Sequence, residues 1–465
     1  MRQLCFVSLF TALLSTMVLA QSTSIVSPIS QPLVPNQTVT ITPDSAPVSS
    51  SSSLSRTFFS MNWNHFINSS TWPSVPFGGI RLWDNHVSWE DINTASSTYN
   101  WTNLDKWLAA AQASDTDVLY TFGRTPQWAS LRPSEQCGYG YGCAAPPSDI
   151  ASGDNIWKAF VTALVEHSLV SPTAHIKYYE LWNEPDCTTN CTWTGTDAQL
   201  VTMASDAYTI IHNLDPNAVV LGPSPHGLDV VSWLQRYYAA GGAPYQDGVA
   251  FHAYVGTNLN QLPSIVSNTR ALMAQYGIGN EPVWVTEGNW GMAGLTDSQK
   301  VAYLGQAYIL LWAQNVPRFY WYTWDDSNRW GGLTNASSAA STGEAINAAG
   351  IAYGLLEDWL VGSVHSSSPC HETADSTWHC RLTLADDDSA EIVWNPHTAT
   401  TITIGTAFTT YRTLRNRAIH SIVGNTVSVG IKPILLVAKR AIPPVVSSFT
   451  MPAAANSHPD PSHQD

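Results

Sequence analysis

The stretch IKYYELWNEPD, residues 176–186, starts as a strand and stops as a polar corner. Its aromatic and β-branched residues favour an extended, buried segment. Pro185 cannot continue a ladder, so the segment ends by presenting Asn183 and Glu184 side by side. An amide and a carboxylate placed at the end of a buried strand are hard to explain as packing. The surrounding sequence shows what kind of sheet the strand belongs to.

Seven further apolar runs share its character: TFFSMNW, GGIRLW, DVLYTFG, AVVLGPS, GVAFHAY, PVWVTEG and RFYWYTW. Most are followed by a turn and then by an amphipathic stretch. In WTNLDKWLAAAQA the apolar Leu104, Trp107, Leu108 and Ala111 recur at helical spacing. DAQLVTMASDAYTIIHNL, DVVSWLQRYYAA, DSQKVAYLGQAYILLWAQ and a closing GEAINAAGIAYGLLEDWL read the same way. Parallel strands need helical crossovers, so eight strands alternating with helices predict a (β/α)8 TIM barrel in the α/β class. The first crossover, NSSTWPSVPF, is too short and too rich in proline for a good helix.

The predicted organisation has a signal peptide over 1–20, a Ser/Thr/Pro-rich linker over 21–55 and the barrel over 56–360. An antiparallel β-sandwich follows over 361–442, with a disordered tail over 443–465. The N-terminal LCFVSLFTALLSTMVLA follows Arg2 and ends in small residues, the pattern of secretory export. Within the linker, QTVTITP could add a strand to a later sheet. The sandwich expectation rests on alternating runs such as AEIVWN, TTITIG, TYRTLR, TVSVGI and PILLVAK, which carry no helical signal.

Export changes the reading of the cysteines. Apart from Cys5 in the signal, they form three close pairs: Cys137 with Cys143, Cys187 with Cys191, and Cys370 with Cys380. Local disulfides are expected. Zinc is the rival reading, but exported thiol pairs are normally oxidised and no histidine stands at ligand spacing beside Cys137 or Cys187. Sequons at Asn36, Asn68, Asn100, Asn190 and Asn335 agree with export and permit glycans.

The chain of 465 residues carries a formal charge of −15, with a pI near 5.2, which argues against a nucleic-acid partner. Only the leader resembles a membrane segment. Charged residues make up only 12% of the chain, against 20 Trp and 18 Tyr. Most of these rings must be core, but some suit a neutral partner such as a sugar.

In a barrel of this kind, functional groups sit at the C-terminal strand ends. Glu184 ends the fourth strand and Glu287, in VWVTEGNWG, ends the seventh. Barrel closure would bring both to one cavity. Facing carboxylates can share glycoside chemistry, one protonating the leaving oxygen while the other attacks the anomeric carbon or activates water. A turn residue and a helix-start acid are the plainer accounts of the two taken singly.

ELWNEPD resembles the Asn-Glu-Pro signature of glycoside hydrolase clan A, and PVWVTEGNWG is similar to that clan's nucleophile strand. Within the clan the chain resembles family 39, as a fungal-type secreted member. Residues 100–130 are similar to its third β/α unit, DGVAFHAY to its sixth strand and AEIVWN to its C-terminal β domain. The resemblance extends from about residue 57 to 440. It implies that Glu184 is the general acid/base and Glu287 the nucleophile of a retaining double displacement.

It also implies that Asn183 bonds the hydroxyl beside the anomeric carbon, that Arg81 lies under the nucleophile, and that Tyr254, sharing a strand face with His252, bonds Glu287. Trp324, with Tyr322 and Tyr320 on its face, resembles the clan's sugar-stacking floor. Structural pairing of Arg81, His252 and Tyr254 and barrel filling by the tyrosines are the alternatives. Family-39 xylosidases typically carry a histidine soon after the strand-two arginine. Here Leu82 and Trp83 follow Arg81 and His86 comes later, so xylose is not singled out.

The expected activity is removal of arabinosyl or xylosyl units from plant cell-wall polysaccharide, with no cofactor and no metal. An endo-acting clan A glycanase is the alternative among enzymes, and a non-catalytic carbohydrate-binding barrel is the alternative of another class. Oligomeric state is not legible.

Overall fold

The computed structural model describes residues 52–63, 72–186, 192–291, 294–325, 331–335 and 345–438. The expected leader, nearly all of the expected linker with QTVTITP, the expected tail, the Cys187 and Cys191 pair and the sequons at Asn36, Asn68 and Asn190 lie outside the described residues.

Eight parallel strands form the barrel: β1 (Phe59–Asn62), β2 (Gly79–Leu82), β3 (Asp117–Thr121), β4 (Tyr178–Glu180), β5 (Val219–Leu221), β6 (Val249–His252), β7 (Val283–Glu287) and β8 (Phe319–Tyr322). They pair in the order β6-β7-β8-β1-β2-β3-β4-β5. A parallel bridge between Leu221 and Gly248 joins β5 to the start of β6 and closes the ring.

Helices α1 (Thr102–Ala113), α2 (Asn155–Val170), α3 (Asp197–Leu214), α4 (Val230–Ala239), α5 (Leu262–Gln275), α6 (Asp297–Ala313) and α7 (Ala348–Leu360) follow β2 to β8 in turn. Between β1 and β2 the described residues hold no helix. Leu104, Trp107, Leu108 and Ala111 are the buried face of α1, as their spacing predicts. Capping boxes start α3 at Thr196 with Gln199 and α6 at Thr296 with Gln299, so each helix satisfies its own first donors. The Asn347 side chain accepts from the amides of Ala349 and Gly350 and starts α7.

Strand alternation divides the barrel into two cores. Outward residues such as Ile80, Val118, Phe251, Val283 and Val285 join the helices in the main apolar cluster. Inward residues stack in layers. At the N-terminal end Arg318 donates to Asp117 (2.6 Å) and to the Tyr178 hydroxyl (2.9 Å). Leu119, Leu221, Ala250, Trp284 and Tyr320 fill the middle. Tyr320 is therefore barrel filling, the plainer of its two sequence readings. Above this apolar floor the inward residues turn polar.

After the barrel come β9 (Cys370–Glu372), β10 (Trp378–Thr383), β11 (Ser389–Trp394), β12 (Thr400–Thr403), β13 (Thr410–Thr413), β14 (Asn416–Ser421), β15 (Thr426–Val429) and β16 (Ile434–Ala438). All pairings are antiparallel, in a six-stranded sheet ordered β9-β10-β11-β16-β13-β14 and a two-stranded ribbon of β12 and β15. Alternation along β16 explains the packing. Leu435 and Val437 belong to the main cluster shared with the barrel, whereas Ile434, Leu436 and Ala438 face the ribbon.

Disulfides join Cys137 to Cys143 and Cys370 to Cys380. The sequon asparagines Asn100 and Asn335 are both exposed. No helix among the described residues is long and apolar enough to cross a membrane.

Candidate active site

The polar layer at the C-terminal end of the barrel is centred on Arg81, which is fully buried on β2. A buried guanidinium needs anionic and carbonyl partners on every side, and the neighbouring strands supply them. Its Nε donates to Glu180 Oε2 (2.7 Å) and its Nη2 to Asn183 Oδ1 (2.7 Å). Nη1 is paired with Glu287 Oε1 and lies 3.4 Å from Asn62 Oδ1. Burial works against the Arg81 charge, but Glu180 and Glu287 more than restore it, so its pKa is raised.

Glu287 reaches this layer through a break in strand parity. Trp284 points into the barrel and Val285 points out, so strict alternation would aim Thr286 inward and Glu287 outward. Instead the β6–β7 register slips, with Phe251 opposite Val285 but His252 opposite Glu287. The extra residue turns Glu287 inward against Arg81. Its other oxygen, Oε2, accepts from the Tyr254 hydroxyl at 2.7 Å.

Glu184 arrives by a different irregularity. Regular strand β4 stops at Glu180, shorter than its sequence suggests, and Trp182 turns outward into the main cluster, where its indole donates to Thr192 O (2.8 Å). The Glu184 amide donates to Ser224 O (3.0 Å), and its φ of 40° is left-handed, a strained value for a side chain of this size. Its side chain is 25% exposed, against 6% for Glu287, so Glu184 is the carboxylate nearer the opening.

His252 lies between the two acids, its Nδ1 2.8 Å from Glu184 Oε1 and 3.4 Å from Glu287 Oε2. Its Nε2 is 3.3 Å from Arg81 Nη2. A guanidinium only donates, so in the neutral ring Nε2 accepts and Nδ1–H donates to Glu184. One oxygen of Glu184, one of Glu287 and one nitrogen of His252 all lie within 4.8 Å of one another. A cation could span these atoms, but Arg81 already presses a positive charge against both Glu287 and His252.

Burial pushes the Glu184 carboxyl up, but the hydrogen bond and charge of His252, followed by His226 and Arg81, hold it below the ordinary carboxylate value. Burial drives Glu287 up beyond the lowering by His252 and Arg81, and the charge of Glu184 adds to the rise. Burial also raises Tyr254 well above its usual value, with Glu287 contributing, so its hydroxyl remains a donor.

Arg81, His252 and Glu287 on β2, β6 and β7, Asn183 and Glu184 beyond the end of β4, and Tyr254 just beyond β6 therefore meet at one point. Trp324 follows the eighth strand. It is 7% exposed beyond β8, and its amide donates to Asn62 O (2.9 Å), the residue whose Oδ1 lies 3.4 Å from Arg81. Tyr322 donates to Asp84 Oδ2 (2.6 Å). His86 is exposed and outside the site.

Sequence reasoning missed Glu180, which also accepts from Thr121 (2.8 Å) and keeps a buried Oε1 with no hydrogen-bond partner. Its signal was available, because a carboxylate in a buried strand four residues before Glu184 requires a cation nearby. Asp186 with His226 (3.1 Å) was also missed, and only the β4–β5 pairing brings these two together.

Residues 150–353, which include both glutamates, match the family model of the glycosyl hydrolase catalytic core. No curated protein is a significant sequence match. A monomeric β-xylosidase from Caulobacter crescentus has a similar fold at a TM-score of 0.60 and 14% identity, over 84% of this chain and 98% of that one. A family 39 glycoside hydrolase from Bacteroides cellulosilyticus aligns at 0.58 and 17%, over 78% and 76% of the two chains. A glucosidase from Croceicoccus marinus aligns at 0.58 and 14%, over 87% and 100%. The chain is a glycosidase, carrying a glycosyl hydrolase catalytic core on a (β/α)8 barrel with a C-terminal antiparallel sheet domain.

Proposed function

We propose that the protein is a secreted, retaining glycosidase that cleaves pentose-containing plant cell-wall glycans, with Glu287 as nucleophile and Glu184 as acid/base. The observation that carries the mechanism is the approach of the two carboxylates to within 4.8 Å at their nearest atoms. Retaining enzymes hold the pair about 5–5.5 Å apart, whereas inverting ones need roughly 6.5–9.5 Å to admit a water.

The roles divide by position. Glu287 is the deeper acid, with one oxygen held by Arg81 and the other by Tyr254, so both lone-pair directions and the negative charge are set for attack. Glu184 is nearer the opening, where a leaving oxygen would sit. Arg81 occupies the Asn183 carbonyl oxygen, which leaves the amide NH2 to donate to the sugar hydroxyl beside the reacting carbon.

Burial outweighs the donors and positive charges on Glu287 and leaves it raised, whereas His252 holds Glu184 lowered. Donation by Arg81 and Tyr254 to Glu287 works for the opposite order, with Glu287 ionised and the proton on Glu184.

Support for pentose comes from the family resemblance and from the xylosidase among the similar folds, and export rests on the leader, cysteines and sequons. The test is a panel of aryl glycosides (α-L-arabinofuranoside, β-D-xyloside, β-D-glucoside, β-D-galactoside) with arabinoxylan alongside, using the parent chain and Glu184→Ala. Release from a pentoside, strongly slowed in the variant, is expected. Shortening of the polysaccharide with no aryl release would point to an endo-enzyme, and sugar binding with no turnover would replace the enzyme by a binding barrel.

A further inference from the structure

The loop between β3 and α2 exposes aromatic rings without being loose. Trp128 is 39% exposed, Tyr139 45% and Tyr141 56%. The loop is nevertheless tied down by the Cys137–Cys143 disulfide and by backbone bonds from Thr125 to Cys143 (3.0 Å), Gly142 to Glu135 (2.7 Å) and Leu131 to Pro146 (2.8 Å). Two of the rings, Trp128 and Tyr139, are held as well. Trp128 donates through its indole to Asn93 O at 2.8 Å.

Tyr139 lies against the Arg124 guanidinium, 3.5 Å from its ring centroid, and Arg124 also covers Trp83 at 4.6 Å. This support is built with some strain. Gly123 has no side chain because a Cβ there would come 2.4 Å from the Trp83 ring, and Arg124 adopts a left-handed φ of 61°. Arg124 Nε is buried without a hydrogen-bond partner, so stacking and the pair with Asp84 (3.2 Å) hold the side chain. One face of Tyr139 is thus covered by Arg124, the Trp83 ring meets it edge-on at 5.8 Å, and the residue still keeps 45% of its surface exposed.

The loop leaves the C-terminal end of β3, on the side of the barrel that carries the glutamates. Trp83 stands two residues after Arg81, and Asp84 accepts from Tyr322 at the end of β8. Partial burial pushes the Tyr139 hydroxyl up to about 12, with the charge of Asp84 adding. The loop's cations are neutralised, Arg124 by Asp84 and Arg132 by Glu135. An exposed aromatic ring with no net charge around it suits a neutral sugar ring better than an acidic one.

We propose that Tyr139, continued by Tyr141 and Trp128, is a stacking platform for the sugar rings of a polysaccharide chain beyond the unit held at the glutamate pair. This rests on the catalytic reading of that pair, so the experiment separates the two. In the full chain carrying Glu287→Gln, calorimetry would compare two-ring with six-ring xylo-, arabino- and cello-oligosaccharides. The six-ring member of at least one series should bind more tightly, and Tyr139→Ala, Tyr141→Ala and Trp128→Ala should each remove roughly 2- to 10-fold of that advantage. Tyr141→Trp should keep it, which shows that a folded loop with a ring is what matters.

A length advantage that survives removal of all three rings, or no length advantage in any series, would overturn the platform. Turnover by the chain with Glu287 intact is read separately. Its absence would defeat the catalytic reading while the binding series still decides the platform.

Discussion

At the scale of single residues, the site is an electrostatic arrangement around Arg81. Glu180, Glu184 and Glu287 bring three carboxylates to one guanidinium and one imidazole, a set that ordinary core packing would not retain. Arg81→Met should leave Glu180 and Glu287 buried and uncompensated, costing ~3–5 kcal/mol in urea unfolding and abolishing turnover. Arg81→Lys keeps a charge but loses the fork that reaches Glu180, Glu287 and Asn183 together, so it should recover part of the stability and little activity. A Met variant as stable as the parent would mean that the cluster is solvated.

His252 gives a directional prediction. It is the main group opposing the effect of burial on Glu184. Removing it in His252→Ala should raise the pKa of Glu184. The acid works only when protonated, so the alkaline limb of kcat/KM should move to higher pH. A limb that stays in place would remove Glu184 from the acid role.

At the scale of elements, the alternation of strands and helices was legible because hydrophobic period and turn chemistry are local. The eight strands and the α1 face emerged from spacing alone. The two irregularities that make the site were not legible. The slip opposite His252 that turns Glu287 inward is a property of the β6–β7 pairing, and the left-handed Glu184 depends on its bond to Ser224 on the next segment. Spacing within one strand pairs His252 with Tyr254. It cannot show that Arg81 will be shared by five neighbours on or just beyond four strands.

The start of α2 supplies a test at this scale. Burial lifts the Asp154 carboxyl to about 8, with the charges of Asp206 and Asp149 and a hydrogen bond to Asp206 that only the protonated acid can donate adding to the rise. In the native state the group holds its proton, whereas in the unfolded chain it ionises near the usual value. Its contribution is therefore complete below about 4 and is lost as pH rises to about 8. Asp154→Asn should flatten the stability profile across that window and raise stability at pH 8. An unchanged slope would mean that Asp154 is ionised in the fold.

At the scale of the whole molecule, the described β-domain strands and the barrel share one apolar cluster. Leu435 and Ile392 are fully buried within it. The account predicts one calorimetric unfolding transition for both parts, with Leu435→Ala lowering it by the equivalent of ~2–5 kcal/mol. Two separate transitions, with only one moved by the substitution, would show that the domains fold independently.

The central claim is that Glu287 attacks the anomeric carbon. The most direct measurement uses activated 2-deoxy-2-fluoro arabinosyl and xylosyl donors, which slow breakdown of a covalent intermediate, followed by peptide mass mapping. The account predicts one sugar per chain, on the peptide that contains Glu287. Label on Glu184, or turnover with inversion and no label, would contradict it.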